Sequence, residues 1–239
     1  MRKVTAEHVA LAVGLVLFVM PGLSAQSGEP PADWAGLARY RAENARLAPP
    51  RPGEERVIFF GDSITEGWIA AAPGFFAGRP WLDRGISGQT TPQMLARFRQ
   101  DVVALHPAVV VILAGTNDLA GNNGPATPEM AADNLMSMAE IARANGVRVV
   151  LSSVLPAADY PWRPGLDPAP KIVALNALIR GYAAGAGIVY LDYHAAMADE
   201  HGGMRRGLSE DGVHPNAAGY AVMAPLAETA VKTALARER

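Results

Sequence analysis

Apolar residues fall in two kinds of run along this chain. Short runs with apolar residues on consecutive positions read as strands buried on both faces: residues 56–60 (RVIFF), 108–115 (AVVVILAG), 147–154 (VRVVLSSV) and 188–192 (IVYLD), with a shorter one around 81–85 (WLDRG). Longer runs repeat at helical spacing. Residues 33–47 predict a helix with Trp34, Leu37, Tyr40 and Leu47 turned inward, stopped by APPRPG. A second helix begins at Thr91, with Pro92 in its first turn. A third covers 127–146, with Thr127 as N-cap, Pro128 behind it and Gly146 as terminator. Residues 169–187 predict a fourth, and a last helix begins near Asn216.

Continuous apolar strands alternating with helices predict a parallel sheet covered on both sides, an α/β fold with right-handed crossovers. The pattern contains no internal repeat and no second domain. In such sheets ligands collect at the carboxyl ends of the strands. The first strand ends at that edge in GDSIT, presenting Ser63.

Composition narrows the function classes. Half the residues are hydrophobic and 18% are charged, which is ample material for a core. A net charge of −2, with no basic tract longer than Arg205-Arg206, gives no reason to expect nucleic acid as a partner. The absence of cysteine excludes disulfides, thiolate metal sites and a cysteine nucleophile. No phosphate loop and no H-E-x-x-H motif occur, so no nucleotide, metal or other cofactor is assigned. At the N-terminus, Arg2 and Lys3 precede an uncharged run over 9–20 and small residues near Ala25. That layout predicts a secretory signal peptide over 1–25, cleaved after Ala25, with an uncleaved anchor as the rival. The remaining divisions are 26–55, a linker and N-terminal helix, and 56–239, the main folded domain.

A serine becomes a nucleophile only with a base to take its proton and donors to hold the oxyanion. Of five histidines, His8 is in the leader, His106 precedes the third strand on the opposite sheet edge, and His201 sits in a polar loop. His194 follows the last strand and pairs with Asp192 as a weaker rival, in keeping with a packed or capping pair. His214 lies in SEDGVHPNAAGY, three residues after Asp211. A D-x-x-H pair on one turn can place the carboxylate against one ring nitrogen and leave the other for the serine, so His214 is favoured. Standing alone, the pair would read as a loop histidine beside an Asx turn. Gly88 in RGISGQT and Asn117 in LAGTND fall at two further strand ends, where an unobstructed amide and a neutral side-chain donor are suited to an oxyanion.

Taken in order, GDSIT, RGISGQT, AGTND and DGVHP resemble the four blocks of the SGNH hydrolases, the GDSL esterase/lipase family, across about residues 56–225. The chain is most similar to the bacterial branch related to platelet-activating-factor acetylhydrolase and short-chain carbohydrate esterases. The resemblance implies a flavodoxin-like three-layer α/β/α sandwich with five parallel strands in the order 2-1-3-4-5. It implies Ser63 as nucleophile, His214 as base and then acid, and Asp211 as the residue orienting the imidazole. It also implies an oxyanion hole from the backbone N–H groups of Ser63 and Gly88 and the side chain of Asn117. One small departure is Ile64 in place of leucine after the serine.

Substrate is read from fewer signals. Trp68 follows the nucleophile block, and Tyr160, Trp162 and Arg163 lie in the loop 158–170 after the fourth strand. Trp68, Tyr160 and Trp162 are candidates to line an acyl or sugar pocket; the competing reading of the loop is a proline-rich segment pinned on its own core. Nothing resembles a long apolar lid, so a short-chain serine esterase acting on a small-molecule or carbohydrate ester is expected. Alternatives are a lysophospholipase or thioesterase, an O-acetyltransferase, and a catalytically silent carbohydrate-binding relative. A periplasmic or secreted location, without stable membrane insertion after cleavage, suits all of them.

Overall fold

Five strands pair side by side, all parallel, in the order β2-β1-β3-β4-β5: β1 is Val57–Gly61, β2 Trp81–Gly85, β3 Val109–Leu113, β4 Arg148–Ser152 and β5 Val189–Leu191. The computed structural model describes residues 33–237; the expected leader and its cleavage point lie outside them. Nine α-helical segments connect or flank the strands among the described residues: α1 Arg41–Asn44, α2 Ser63–Glu66, α3 Trp68–Ala71, α4 Thr91–Asp101, α5 Thr116–Leu119, α6 Pro128–Ala144, α7 Pro168–Ala186, α8 Tyr193–Met197 and α9 Ala217–Leu235.

Side chains alternate across each strand, so one strand feeds two cores. Ile58, Phe60, Val110 and Ile112 pack with Met94 and Phe98 of α4, Leu135 and Met138 of α6 and Ile172 and Leu175 of α7. Val57, Phe59, Val109 and Val111 face the other way, toward Trp68 of α3, Tyr193 of α8 and Tyr220 and Met223 of α9. Both faces are covered, which is why these strands read as unbroken apolar runs. Register then aligns the working edge: Gly61 stands opposite Gly85 of β2 and Leu113 of β3. The loops after β1, β2 and β3 therefore leave the sheet at one level.

The expected helix over 33–47 is overturned. Only Arg41–Asn44 is helical, and turns precede it. Asp33 accepts from Leu37 N and Ala38 N at 2.8 and 2.7 Å, closing a turn in which Gly36 takes a positive φ of 66°. Tertiary bonds then hold the segment open as a strap: Gln93 Nε2 donates to Trp34 O, Gln89 Nε2 to Ala35 O, Gln100 Nε2 to Leu37 O, and Tyr40 OH to Gly85 O. Each of these outer bonds occupies a carbonyl or side chain that a helix would use differently, and together they override local propensity. Tyr40 is buried as expected, Leu37 and Leu47 are half-buried, and Trp34 is 54% exposed rather than inward.

Trp68 also departs from expectation. It is buried, stacked on Phe75 at 4.4 Å and on Tyr220 at 5.2 Å, with Phe59 edge-on at 5.7 Å. Its ring is spent in the core and is not presented to a substrate at the surface. Trp68→Ala should therefore cost about 3–5 kcal/mol of folding stability, read from urea unfolding; a loss below about 1 kcal/mol would contradict this packing.

Candidate active site

The turn carrying Ser63 is set by its neighbours. Asp62 is the N-cap of α2, its Oδ1 accepting from Ile64 N at 3.0 Å, which leaves Ser63 as the first helical residue with its N–H free of intrahelical partners. The turn lies directly on the end of β2. A Cβ on Gly85 would stand 2.2 Å from Glu66 N, so a side chain there would push the turn away.

His214 arrives from the segment before α9. Val213 and Pro215 on either side of it are buried, which fixes the backbone and leaves the imidazole half-exposed. Asn216 caps α9 by accepting from Ala218 N and Gly219 N at 3.0 and 3.1 Å. Ser63 Oγ lies 2.9 Å from His214 Nε2, and His214 Nδ1 lies 2.6 Å from Asp211 Oδ2. Asp211 Oδ1 accepts from Val213 N, His214 N and Ser209 Oγ at 2.9, 2.8 and 3.0 Å. Partial burial alone would raise the Asp211 carboxyl, but the bonds from the His214 ring and the two backbone amides outweigh it and hold the group at about 2. An ionised carboxylate only accepts, so Nδ1 carries the imidazole proton and Nε2 is left to accept from the serine hydroxyl.

The other strand ends converge on the same place. Gly88 has φ 76°, and its N–H makes no hydrogen bond among the described residues. Asn117 Nδ2 donates to Gln89 O at 3.0 Å and approaches Asp62 Oδ2 at 3.3 Å. Its Oδ1 accepts from Asn122 Nδ2 at 2.7 Å, and Asn122 Oδ1 accepts from Trp162 Nε1 at 3.1 Å. This chain of bonds fixes which way the Asn117 amide faces. Asp118 accepts from both the N–H and the hydroxyl of Thr91, tying the loop after β3 to the start of α4. Burial pushes Asp62 up to about 6 against the opposing bond from Ile64 N, and burial also raises Asp118.

Ser63, Asp211 and His214 thus meet, as do the loops carrying Gly88 and Asn117. Trp162 is 40% exposed with its ring 5.9 Å from that of His214. Tyr160 is buried and stacked against Trp162 at 5.1 Å, so it supports the indole from within. Arg163 turns away and donates to the carbonyls of Ala120 and Gly121. The rival pair separates into structural duties: Asp192 caps α8 and pairs with Arg180, while His194 N donates to Ser153 Oγ. Sequence pattern marks neither Asn122 nor Gln89 as part of the site; GNNGP reads only as a turn, and nothing periodic distinguishes either amide.

The model of the GDSL-like lipase/acylhydrolase family matches residues 59–222. The chain belongs to that family. Members hydrolyse ester bonds, and this chain is such a hydrolase. Its GDSL-like fold closely follows a GDSL-like lipase from Bacteroides thetaiotaomicron, at 46% identity and a TM-score of 0.82, covering 84% of this chain and 99% of that one. Esterase TesA of Pseudomonas aeruginosa is 30% identical over 173 residues, 67% of this chain and 80% of that protein. A catalytic mutant of an acetylxylan esterase from Geobacillus stearothermophilus shares the fold, with a TM-score of 0.61 at 20% identity, covering 77% of this chain and 97% of that one.

Proposed function

We propose that the protein is a serine esterase that cleaves short-chain carboxylic esters through an acyl-enzyme. The observation that carries this reading is the unbroken relay from Ser63 Oγ through the His214 ring to Asp211, at 2.9 and 2.6 Å. Ser63 Oγ attacks the ester carbonyl while His214 Nε2 takes its proton. The tetrahedral oxyanion is held by the N–H groups of Ser63 and Gly88 and by Asn117 Nδ2, which exchanges its long 3.3 Å bond to Asp62 Oδ2 for one to the oxyanion. His214 returns the proton to the alcohol oxygen as the C–O bond breaks. Water, deprotonated by His214, then attacks the acyl-serine and releases the acid.

One feature supports a short acyl group: the aromatic bulk following Ser63 is committed to the core around Trp68 and not to an acyl pocket. Hydrolysis of p-nitrophenyl acetate, butyrate and octanoate tests the reading. Acetate cleaved fastest supports it, octanoate cleaved fastest moves the protein to the long-chain acyl branch, and no cleavage of any removes the assignment. Transfer of acetyl to an added sugar in excess of hydrolysis would make it an acetyltransferase.

Asn117→Ala tests the oxyanion assignment. Removing one such donor should lower kcat by about 10²–10³ with the fold intact by circular dichroism; normal turnover would take Asn117 out of the mechanism. A periplasmic or secreted location belongs to this reading and rests on the sequence of residues 1–25; intact-mass measurement of the protein after expression would show Gln26 as the first residue. Among the described residues no helix is long and apolar enough to cross a membrane.

A further inference from the structure

We propose that the groove between the N-terminal strap and the loop bearing Gly88 is a sugar-binding subsite, with Trp34 as its stacking platform. The groove holds about 260 Å³ and is lined by Trp34, Ser87, Gly88, Gln93, Asn122 and Asn123 among others. It adjoins the reaction centre on two counts. Gly88 carries the free N–H assigned to the oxyanion, and Asn122 bonds both Asn117 and the Trp162 indole beside His214.

The chemistry of the lining selects the ligand. No lining side chain is cationic, so a phosphate or carboxylate would find no counter-charge. The single charged residue, Asp33, has both carboxylate oxygens committed to Leu37 N and Ala38 N. Four neutral amides line it instead; most of their groups hold the walls together, and the Asn123 carbonyl oxygen and the second N–H of Gln93 and of Asn122 are left to meet ligand hydroxyls, a lining that is poor company for an acyl chain. Trp34, 54% exposed, adds one broad apolar face of the kind that stacks on the C–H face of a pyranose.

The platform is built and held before any ligand arrives. Gln93 Nε2 donates to Trp34 O at 2.6 Å, while Gln93 Oε1 accepts from Thr90 N at 2.9 Å and from Asn123 Nδ2 at 2.5 Å. Asn123 spends its NH₂ on Gln93 and on Thr90 Oγ1, leaving its carbonyl oxygen for a ligand hydroxyl. Gln89 Nε2 fastens the next strap residue through Ala35 O at 2.7 Å. An indole whose backbone is clamped loses little freedom on binding, which favours affinity from one stacking contact. The cleaved ester would then sit on a glycan whose neighbouring unit rests on Trp34. That last step depends on the esterase reading above; sugar binding does not.

Titration of the wild type with unesterified xylo-, cello- and chito-tetrasaccharides, by calorimetry, is the test. Saturable binding of at least one is expected, weakened about tenfold by Trp34→Leu, which keeps an apolar side chain but removes the flat face, and largely kept by Trp34→Phe. The ratio of kcat/KM for the acetylated form of that oligosaccharide to kcat/KM for p-nitrophenyl acetate should fall about tenfold in Trp34→Leu, mainly through KM. Binding of none of the three, equal effects of leucine and phenylalanine, or a selective loss of p-nitrophenyl octanoate hydrolysis in Trp34→Leu would each overturn the proposal. If the wild type binds the sugar through Trp34 but cleaves no ester, the subsite stands and the esterase reading falls. Ester cleavage through Ser63 without sugar binding leaves the esterase standing and removes the subsite.

Discussion

Ser63→Ala and His214→Ala are each expected to lower kcat for p-nitrophenyl acetate by about 10⁶, and the double variant by no more than either alone. In the proposed mechanism the two side chains perform one act. The serine hydroxyl reaches a nucleophilic state only as Nε2, 2.9 Å away, takes its proton, so deleting either end deletes the whole transfer. What survives is the binding of the developing oxyanion by backbone amides that neither substitution touches. Ser63 is only half-buried at the start of a short helical turn, so the alanine variant should keep the native circular dichroism and unfolding midpoint. Losses that multiplied in the double variant would mean that serine and histidine act in separate steps. Full activity in Ser63→Ala would displace the nucleophile altogether.

Asp211→Asn should reduce kcat by about 10⁴ while altering shape little. An asparagine can still accept from Val213 N and His214 N through its carbonyl oxygen. Its NH₂ then faces the imidazole, so Nδ1 must become an acceptor and the ring proton moves to Nε2. Nε2 in that form donates toward Ser63 and takes nothing from it. Stability should respond more gently, and with a defined sign. The carboxyl of Asp211 is held at about 2, below its ordinary value of 3.8, so ionised Asp211 stabilises the fold above pH about 4 and loses that contribution as pH falls toward 2. The melting temperature of wild type should exceed that of the variant at neutral pH, and the gap should close in acid. With the side chain 39% exposed the gap is small. A variant retaining wild-type kcat would show that the imidazole does not depend on this partner for its tautomer.

Much of the sheet is legible in the amino-acid sequence alone. The runs at 57–60 and 109–113 have no polar position, and only a strand covered on both faces buries every residue. Which strand lies beside which is another matter. Hydrophobicity records that Phe60 is buried, not that Val57 stands opposite Trp81, and the strand order follows only from the resemblance of the four blocks to the family. Those blocks also locate Ser63, Asp211 and His214, because short turn motifs keep their spacing. The strap is illegible for a physical reason: its conformation is decided by side chains on α4 and the loop before it, 54 to 63 residues away in sequence. Trp68 and Trp162 show the same limit. Both follow a strand end, yet one ring fills the core and the other stands against His214, and local sequence does not encode which way a turn delivers its next side chain.

The strap also separates two measures of how large the catalytic unit is. Residues 59–222 correspond to the family at large, and they contain the entire relay from Ser63 to Asp211. Trp34, Ala35, Leu37 and Tyr40 fall before that span, and their anchors are Gln93, Gln89, Gln100 and Gly85, residues that flank the loop bearing Gly88. A chain lacking residues 33–47 would keep β1, α9 and every group of the proposed mechanism while releasing the brace beside the loop bearing Gly88. Inherited chemistry and inherited rigidity have different lengths in this protein, and the extra residues at its front belong to the second.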